Sequence, residues 1–191
     1  MANVKDNRRV QYTKTALKKS LLVLLKEKPV DRITVKELCA GADLNRGTFY
    51  TYYSSPMELL EEIENDFYVD ILLSVTAFRK ADDIVSIFEE AVAALRQRRE
   101  LSEALFGKNG DDAFLQKLVD VARETCLTHW RRLVPEAGET KLNMMYDFCS
   151  YGCMKVVREW LQAGAKEEPR VVAQFLTDIC NRGLLPLLGR K

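Results

Sequence analysis

The chain of 191 residues, 47% apolar and 30% charged, is long enough for one large or two small packed cores. Its 29 Lys and Arg nearly cancel 28 Asp and Glu, but residues 1–60 hold 11 basic and 6 acidic side chains and residues 61–191 hold 18 and 22, so a basic module is joined to a mildly acidic one. The single histidine, His129, puts enzyme readings at a disadvantage, because acid–base, triad and metal-hydrolase sites most often recruit that residue.

From Thr13 the apolar positions Ala16, Leu17, Leu21, Leu24 and Leu25 recur at helical spacing and stop at Pro29, which predicts a first amphipathic helix with a lysine-rich outer face. Its run from Leu21 to Leu25 is far too short to span a bilayer or form a signal-peptide core, so no membrane association is expected. The one strand-like stretch, Arg32 to Val35, leads straight into a helix start, and the expectation is an all-α protein of about nine helices. Thr34 and Glu37 have capping-box spacing at the head of a second, short helix, from about Val35 to Ala40, and Gly41 is expected to make the left-handed turn that ends it. Asn45 is a good N-cap for a third helix through about Tyr52. Ser55, Pro56 and Glu58 repeat the start signal and open a fourth helix that runs to about Phe78. Longer amphipathic segments follow at 83–98, 100–105, 113–132, 141–163 and 169–188, parted by short breaks rich in Gly, Pro and polar residues.

The stretch from Ile33 to Tyr53, ITVKELCAGADLNRGTFYTYY, has the grammar of a helix-turn-helix. Val35, Leu38, Cys39, Ala42, Leu44 and Phe49 supply the apolar contacts that fix the angle between its helices. Asn45, Arg46, Gly47, Thr48, Tyr50 and Thr51, with Tyr52 and Tyr53 beyond, are left to face outward, and they are groups able to bond base edges and phosphates. Helix-end amides, Lys36, Thr34 and the basic first helix could take phosphate oxygens.

Residues 10–65, centred on TVKELCAGADLNRGTFYTYYSSPMELLEEI, closely resemble the DNA-binding domain of TetR-type transcriptional regulators, and the later stretches LFGKNGDDAFLQKL and YGCMKVVREWLQAG resemble a subset of them. The resemblance implies a helix-turn-helix domain at 1–54 and a helical regulatory and dimerisation domain at 55–191. It also implies a cytoplasmic homodimer on a palindromic double-stranded operator, acting as a repressor released by an unidentified small-molecule inducer. Position by position it gives Thr34 and Lys36 to backbone phosphate, Arg46, Gly47 and Thr48 to bases, and Tyr50 and Tyr53 to phosphates, with Asn45 beside them. Where the family usually has a lysine at the start of the fourth helix this chain has Pro56, and Lys14, Lys18, Ser54 or Ser55 could compensate. The fourth helix would be the only segment joining pocket to reading head. Two rivals stand beside this reading: a DNA-binding protein whose second domain takes a protein partner, and an all-α enzyme, which would need a polar catalytic cluster not found in the sequence.

In the second domain, Phe88, Phe106, Trp130, Met144, Phe148, Tyr151 and Met154 are candidates for the cavity that the resemblance implies, with Asn143, His129 and Arg123 as polar candidates. Core packing is the competing role for each. The segment 141–163 carries two adjacent apolar series, Met144, Phe148, Gly152, Val156, Trp160 and Met145, Cys149, Cys153, Val157, Leu161, so one can face the core and the other a second copy. Phe175, Leu176 and Ile179, within a stripe that continues to Leu184 and Leu187, offer a comparable surface on the last helix. The five cysteines are odd in number and lack CxxC spacing, which points to reduced thiols. Cys149 and Cys153 share a face, and a thiol sensor or a metal site with His129 can be drawn from them. Their apolar neighbours favour inert thiols, and with no convincing fourth ligand neither metal nor cofactor is expected.

Overall fold

The computed structural model describes residues 4–77 and 84–184. Phe78 and Asp83, expected at a helix end and a helix start, and Pro186 to Leu188, expected within the last helix, lie outside the described residues. Among those described there are nine α-helices and no strand: α1 (Val4–Glu27), α2 (Val35–Gly41), α3 (Arg46–Tyr50), α4 (Pro56–Ala77), α5 (Ile84–Gln97), α6 (Arg99–Leu105), α7 (Asp112–Leu133), α8 (Glu139–Gln162) and α9 (Pro169–Asp178). A 3₁₀ turn, Val30–Arg32, follows Pro29; of the strand-like stretch Arg32 to Val35, Ile33 and Thr34 are extended and Val35 opens α2, and α9 continues into a π-helical segment, Ile179–Leu184.

The helices group into two compact units. One comprises residues up to Phe67 together with Glu103–Asp111; the other comprises Tyr68–Ser102 and the chain from Asp112 onward. The chain therefore passes between units three times, after Phe67, Ser102 and Asp111, and α4 is not the sole covalent connection. Packing divides α4 itself, whereas the roles expected of residues 1–54 and 55–191 remain a proposal about function.

In the first unit Leu17, Leu21, Leu38, Phe49, Leu59 and Phe67 are buried completely, and burying a side chain of this size contributes about 1.5–3 kcal/mol. Ser20 Oγ donates to the Leu38 carbonyl at 2.9 Å and binds α1 to α2. Gly41 belongs to this contact and not to a left-handed turn. It lies inside α2, where a Cβ would run into Ser20 Oγ, and the left-handed residue is Asp43, at φ 53°. The loop at 103–111 closes over the same core: Phe106 packs edge to face on Phe67 with centroids 6.2 Å apart, and the Asn109 amide donates to the Leu25 carbonyl at 2.9 Å near the end of α1.

The second unit is organised around a buried cluster of Cys126, Leu127 and Trp130 from α7 with Leu142, Met145, Tyr146 and Cys149 from α8, joined by Cys180. Trp130 Nε1 donates to Asn181 Oδ1 at 3.2 Å, and the Tyr146 hydroxyl donates to the Val119 carbonyl at 2.6 Å, so both aromatic polar groups are satisfied. No helix among the described residues is long and apolar enough to cross a membrane.

Candidate nucleic-acid interface

Local capping sets the geometry of the helix-turn-helix. The Thr34 hydroxyl accepts from the Glu37 amide at 3.3 Å while Glu37 Oε2 accepts from the Thr34 amide at 3.0 Å, which completes the box read from the sequence. Asn45 Oδ1 accepts from both the amide and the hydroxyl of Thr48, at 2.8 and 3.0 Å. Asn45 is therefore held as the cap of α3, with the Thr48 hydroxyl bonded to it. Phe49 is the one buried residue of α3. Its burial leaves Arg46, Gly47 and Tyr50 exposed and Thr48 half-buried on the opposite side, with Thr34 and Lys36 exposed on α2.

An open groove of about 410 Å³ runs between α1 and α3, lined by Arg9, Val10 and Thr13 from one side and Asn45, Gly47, Thr48, Thr51 and Tyr52 from the other. Thr51 and Tyr52, which the sequence places among the outward groups able to bond bases and phosphates, line this groove, whereas Arg9 is not singled out by the sequence. Residues 4–12 lack an apolar period and so carry no helix signal of their own, yet Arg8 and Arg9 fall on the same helix, one turn before Thr13.

Tyr53, expected to bond phosphate, is only 3% exposed. Its ring packs 5.8 Å from Phe49 with Lys14 Nζ over it, and burial pushes its phenol well above the usual range. A side chain held this way belongs to the core beneath the interface, and Tyr52 and Tyr50 are the tyrosines at the surface. The groups expected to make up for the absent lysine at Pro56 are likewise engaged. Lys14 pairs with Glu62 at 2.8 Å, and Lys18 with Glu62 and Asp66 at 2.9 and 2.6 Å. Ser54 donates through its amide and hydroxyl to Glu58, and Ser55 Oγ accepts from the Glu58 amide as a helix cap.

These pairs also revise the charge reading. Residues 61–67 add four acids and residues 103–111 add two acids and a lysine, which brings the first unit from a surplus of five to a formal charge of zero. Positive charge at this site is therefore local, on the exposed Arg9, Lys36 and Arg46, while Glu62 and Asp66 of α4 neutralise Lys14 and Lys18 of α1. Burial alone would raise the Glu62 carboxyl, but hydrogen bonds from Lys14 and Lys18 outweigh it and hold the group at about 2.

The capping box yields a pH prediction. Hydrogen bonds from Lys28, 2.6 Å away, and from Thr34 lower the Glu37 carboxyl to about 2 from an ordinary value near 4.5. A depressed carboxyl contributes its stability fully above about pH 4.5 and loses it as pH falls toward 2. Glu37→Gln should therefore melt below wild type at pH 7, with the gap closing as pH falls, when followed by circular dichroism; a gap that stays constant with pH would remove Glu37 from the acid response.

In the second unit the expected cavity residues are not brought together. Trp130 lies in the core with Phe88 half-buried against its cluster, and Phe106 belongs to the core of the first unit. Met144, Phe148 and Tyr151 are exposed, Phe148 at 71%, and Met154 is half-buried. Of the polar candidates, Arg123 reaches Asn143 at 3.3 Å and Asp147 at 2.7 Å and lies over the Tyr146 ring. Tyr151 donates to Gln116 at 3.0 Å.

Two apolar stripes are open to solvent instead: Met144, Phe148, Gly152 and Val156 along α8, and Val171, Phe175 and Ile179 from α9 onward, each at four-residue intervals. Trp160 and Leu176, expected on these surfaces, are buried in the core, with Trp160 Nε1 donating to the Glu167 carbonyl at 3.2 Å. Among the described residues no group of three His, Cys, Asp or Glu side chains is arranged to hold a metal ion.

The TetR-type family model for a transcriptional regulator C-terminal region matches residues 82–182, more than half of the chain. This chain is a TetR-family transcriptional regulator. The regulator is 36% identical over 50 residues to the uncharacterized HTH-type transcriptional regulator YxbF of Bacillus subtilis strain 168, a match that spans 26% of this chain and 13% of that protein. A TetR transcriptional regulator from Streptococcus agalactiae 2603V shares its fold at a TM-score of 0.64 and 19% identity, over 97% of this chain and 98% of the other. NalD of Pseudomonas aeruginosa, the secondary repressor of the MexAB-OprM multidrug efflux pump, superposes at 0.63 and 15% identity, over 91% and 97% of the two chains.

Proposed function

We propose that the regulator is a cytoplasmic repressor that binds a palindromic operator as a homodimer and leaves it when a small molecule binds the second unit. The observation that carries this reading is the outer side of the helix-turn-helix: Arg46, Gly47 and Tyr50 are exposed and Thr48 half-buried on a helix fixed by Phe49 and the Asn45 cap, with Tyr52 beside them and Arg9 across the groove. Arg46 and Thr48 are suited to base edges. Arg9, Lys36, Tyr50 and Tyr52 are suited to phosphates, and the Thr34 hydroxyl is held in the cap by Glu37. The repressor assignment follows the description of NalD. The apolar stripes of α8 and α9 support pairing into a four-helix bundle, which would set two heads about 34–36 Å apart, one turn of DNA.

Binding assays on DNA upstream of the regulator's own gene, against random duplex, test this. Arg46→Ala and Thr48→Ala should each lose about 1–3 kcal/mol of discrimination between the two, whereas Lys36→Ala should weaken both alike and reduce the salt dependence. Equal losses on both DNAs for the Arg46 and Thr48 variants would remove α3 as the reader. Operator binding and inducer binding must also weaken one another by the same factor.

A further inference from the structure

Cys180 completes a thiol cluster that the sequence left as a pair. Cys149 and Cys153 stand one turn apart on the inner face of α8, and Cys180 comes to them from the π-helical segment after α9, with Cys153 Sγ and Cys180 Sγ 3.9 Å apart. Cys149 and Cys180 are buried, while Cys153 is partly open to solvent and gives a small oxidant a way in. Cys153 lies beside, not on, the exposed stripe of Met144, Phe148, Gly152 and Val156. The two sulfurs are in contact, on separate elements and with one of them accessible, and need to close from 3.9 Å to about 2 Å to bond.

We infer that Cys153 and Cys180 form a dithiol that hydrogen peroxide oxidises to a disulfide, tying α8 to the segment that follows α9. Cys153 is the sulfur that peroxide can reach, and Cys180, in contact with it, stands ready to resolve the product. The Cys153 thiol gives up its proton, its sulfur attacks one peroxide oxygen, the O–O bond breaks, and the departing hydroxide is protonated to water, leaving a sulfenic acid on Cys153. The Cys180 sulfur then loses its proton and displaces the hydroxyl, which leaves as a second water as the S–S bond forms. Two electrons pass from the thiol pair to the peroxide. Both ends of the bond lie on elements that carry the exposed apolar stripes, so oxidation acts on the helices through which the regulator is proposed to pair.

The test treats the full-length protein with stoichiometric hydrogen peroxide, alkylates the remaining thiols, and maps peptides by mass spectrometry without reduction. The expected product is a peptide pair joined through Cys153 and Cys180, reversed by dithiothreitol, with a melting temperature raised by several degrees. The link should persist in Cys39→Ser and Cys126→Ser and vanish in Cys153→Ser and Cys180→Ser. The wild-type map stands by itself if a serine variant does not fold. Full alkylation of all five cysteines after peroxide, or oxidation of Cys153 to a sulfinic acid with no link, would overturn the proposal.

Discussion

Gly152→Glu should turn the regulator into single chains that no longer hold an operator. A Cβ added at Gly152 meets nothing within 4 Å in the chain itself, and replacing a mid-helix glycine improves helix propensity by up to about 1 kcal/mol, so the protomer should fold as well as wild type or better. Any damage must then come from what covers Gly152 in a dimer. A carboxylate pressed between Met144, Phe148 and Val156 and their copies loses its hydration without gaining a partner, which costs several kcal/mol. At tenfold per about 1.4 kcal/mol the dimer dissociation constant should rise at least roughly a thousandfold. Light scattering should report the wild-type dimer and a Gly152→Glu monomer of unchanged helicity, and gel shifts should show operator binding lost, since one head makes too few contacts alone. Gly152→Ala serves as the control. An intact Gly152→Glu dimer would place the pairing surface elsewhere and leave the exposed stripe of α8 without its proposed role.

Phe49→Ala should unfold the reading head while sparing the other unit. The helix it anchors is five residues long and has no other buried side chain, so it has little stability of its own. The Phe49 ring is fully buried, with Tyr50 and Tyr53 at 5.5 and 5.8 Å. Truncating a phenylalanine in such a site costs about 3–5 kcal/mol, a large share of the 5–15 kcal/mol or so that holds a domain together. Melting of the first unit should fall by roughly 12–40 °C, operator binding should disappear, and the dimer should survive. Phe49→Leu, which keeps most of the volume, should lose less than half as much. A variant that melts with wild type would mean that α3 is held by contacts other than its one buried ring.

The start and end signals that proved readable were those written in neighbouring residues. The Thr34–Glu37 box, the Asn45 cap and the Ser55–Glu58 cap each need only a short reach of chain, and all three formed. What escaped the sequence depended on residues far away. Gly41 was read as a turn because nothing in its own segment announces Ser20 across the helix crossing. Tyr50, Tyr52 and Tyr53 are equivalent as letters, and only the seating of Phe49 decides that Tyr53 goes inward. On α8 the two apolar series are indistinguishable by hydrophobicity. The structure buries Met145, Cys149, Val157 and Leu161 and leaves Met144 and Phe148 outside, which moved both from the expected cavity to the expected dimer face. The charge surplus misled for a related reason: the acids that neutralise it lie beyond residue 60, on α4 and the 103–111 loop, and join the head only through folding.

The threefold passage of the chain between units bears on how such regulators can be recombined. A reading head cut out at residue 54 or 67 is not a complete folding unit, because it leaves behind Phe106, which packs on Phe67, and Asn109, whose amide is bonded to the Leu25 carbonyl. A hybrid that sets this head on another regulator's sensing unit therefore has to transplant two pieces of sequence, the first 67 residues and the loop at 103–111, as a matched set. Hybrids made with a single junction would inherit a foreign loop against α1 and should misfold or lose their response, however well the junction itself is placed.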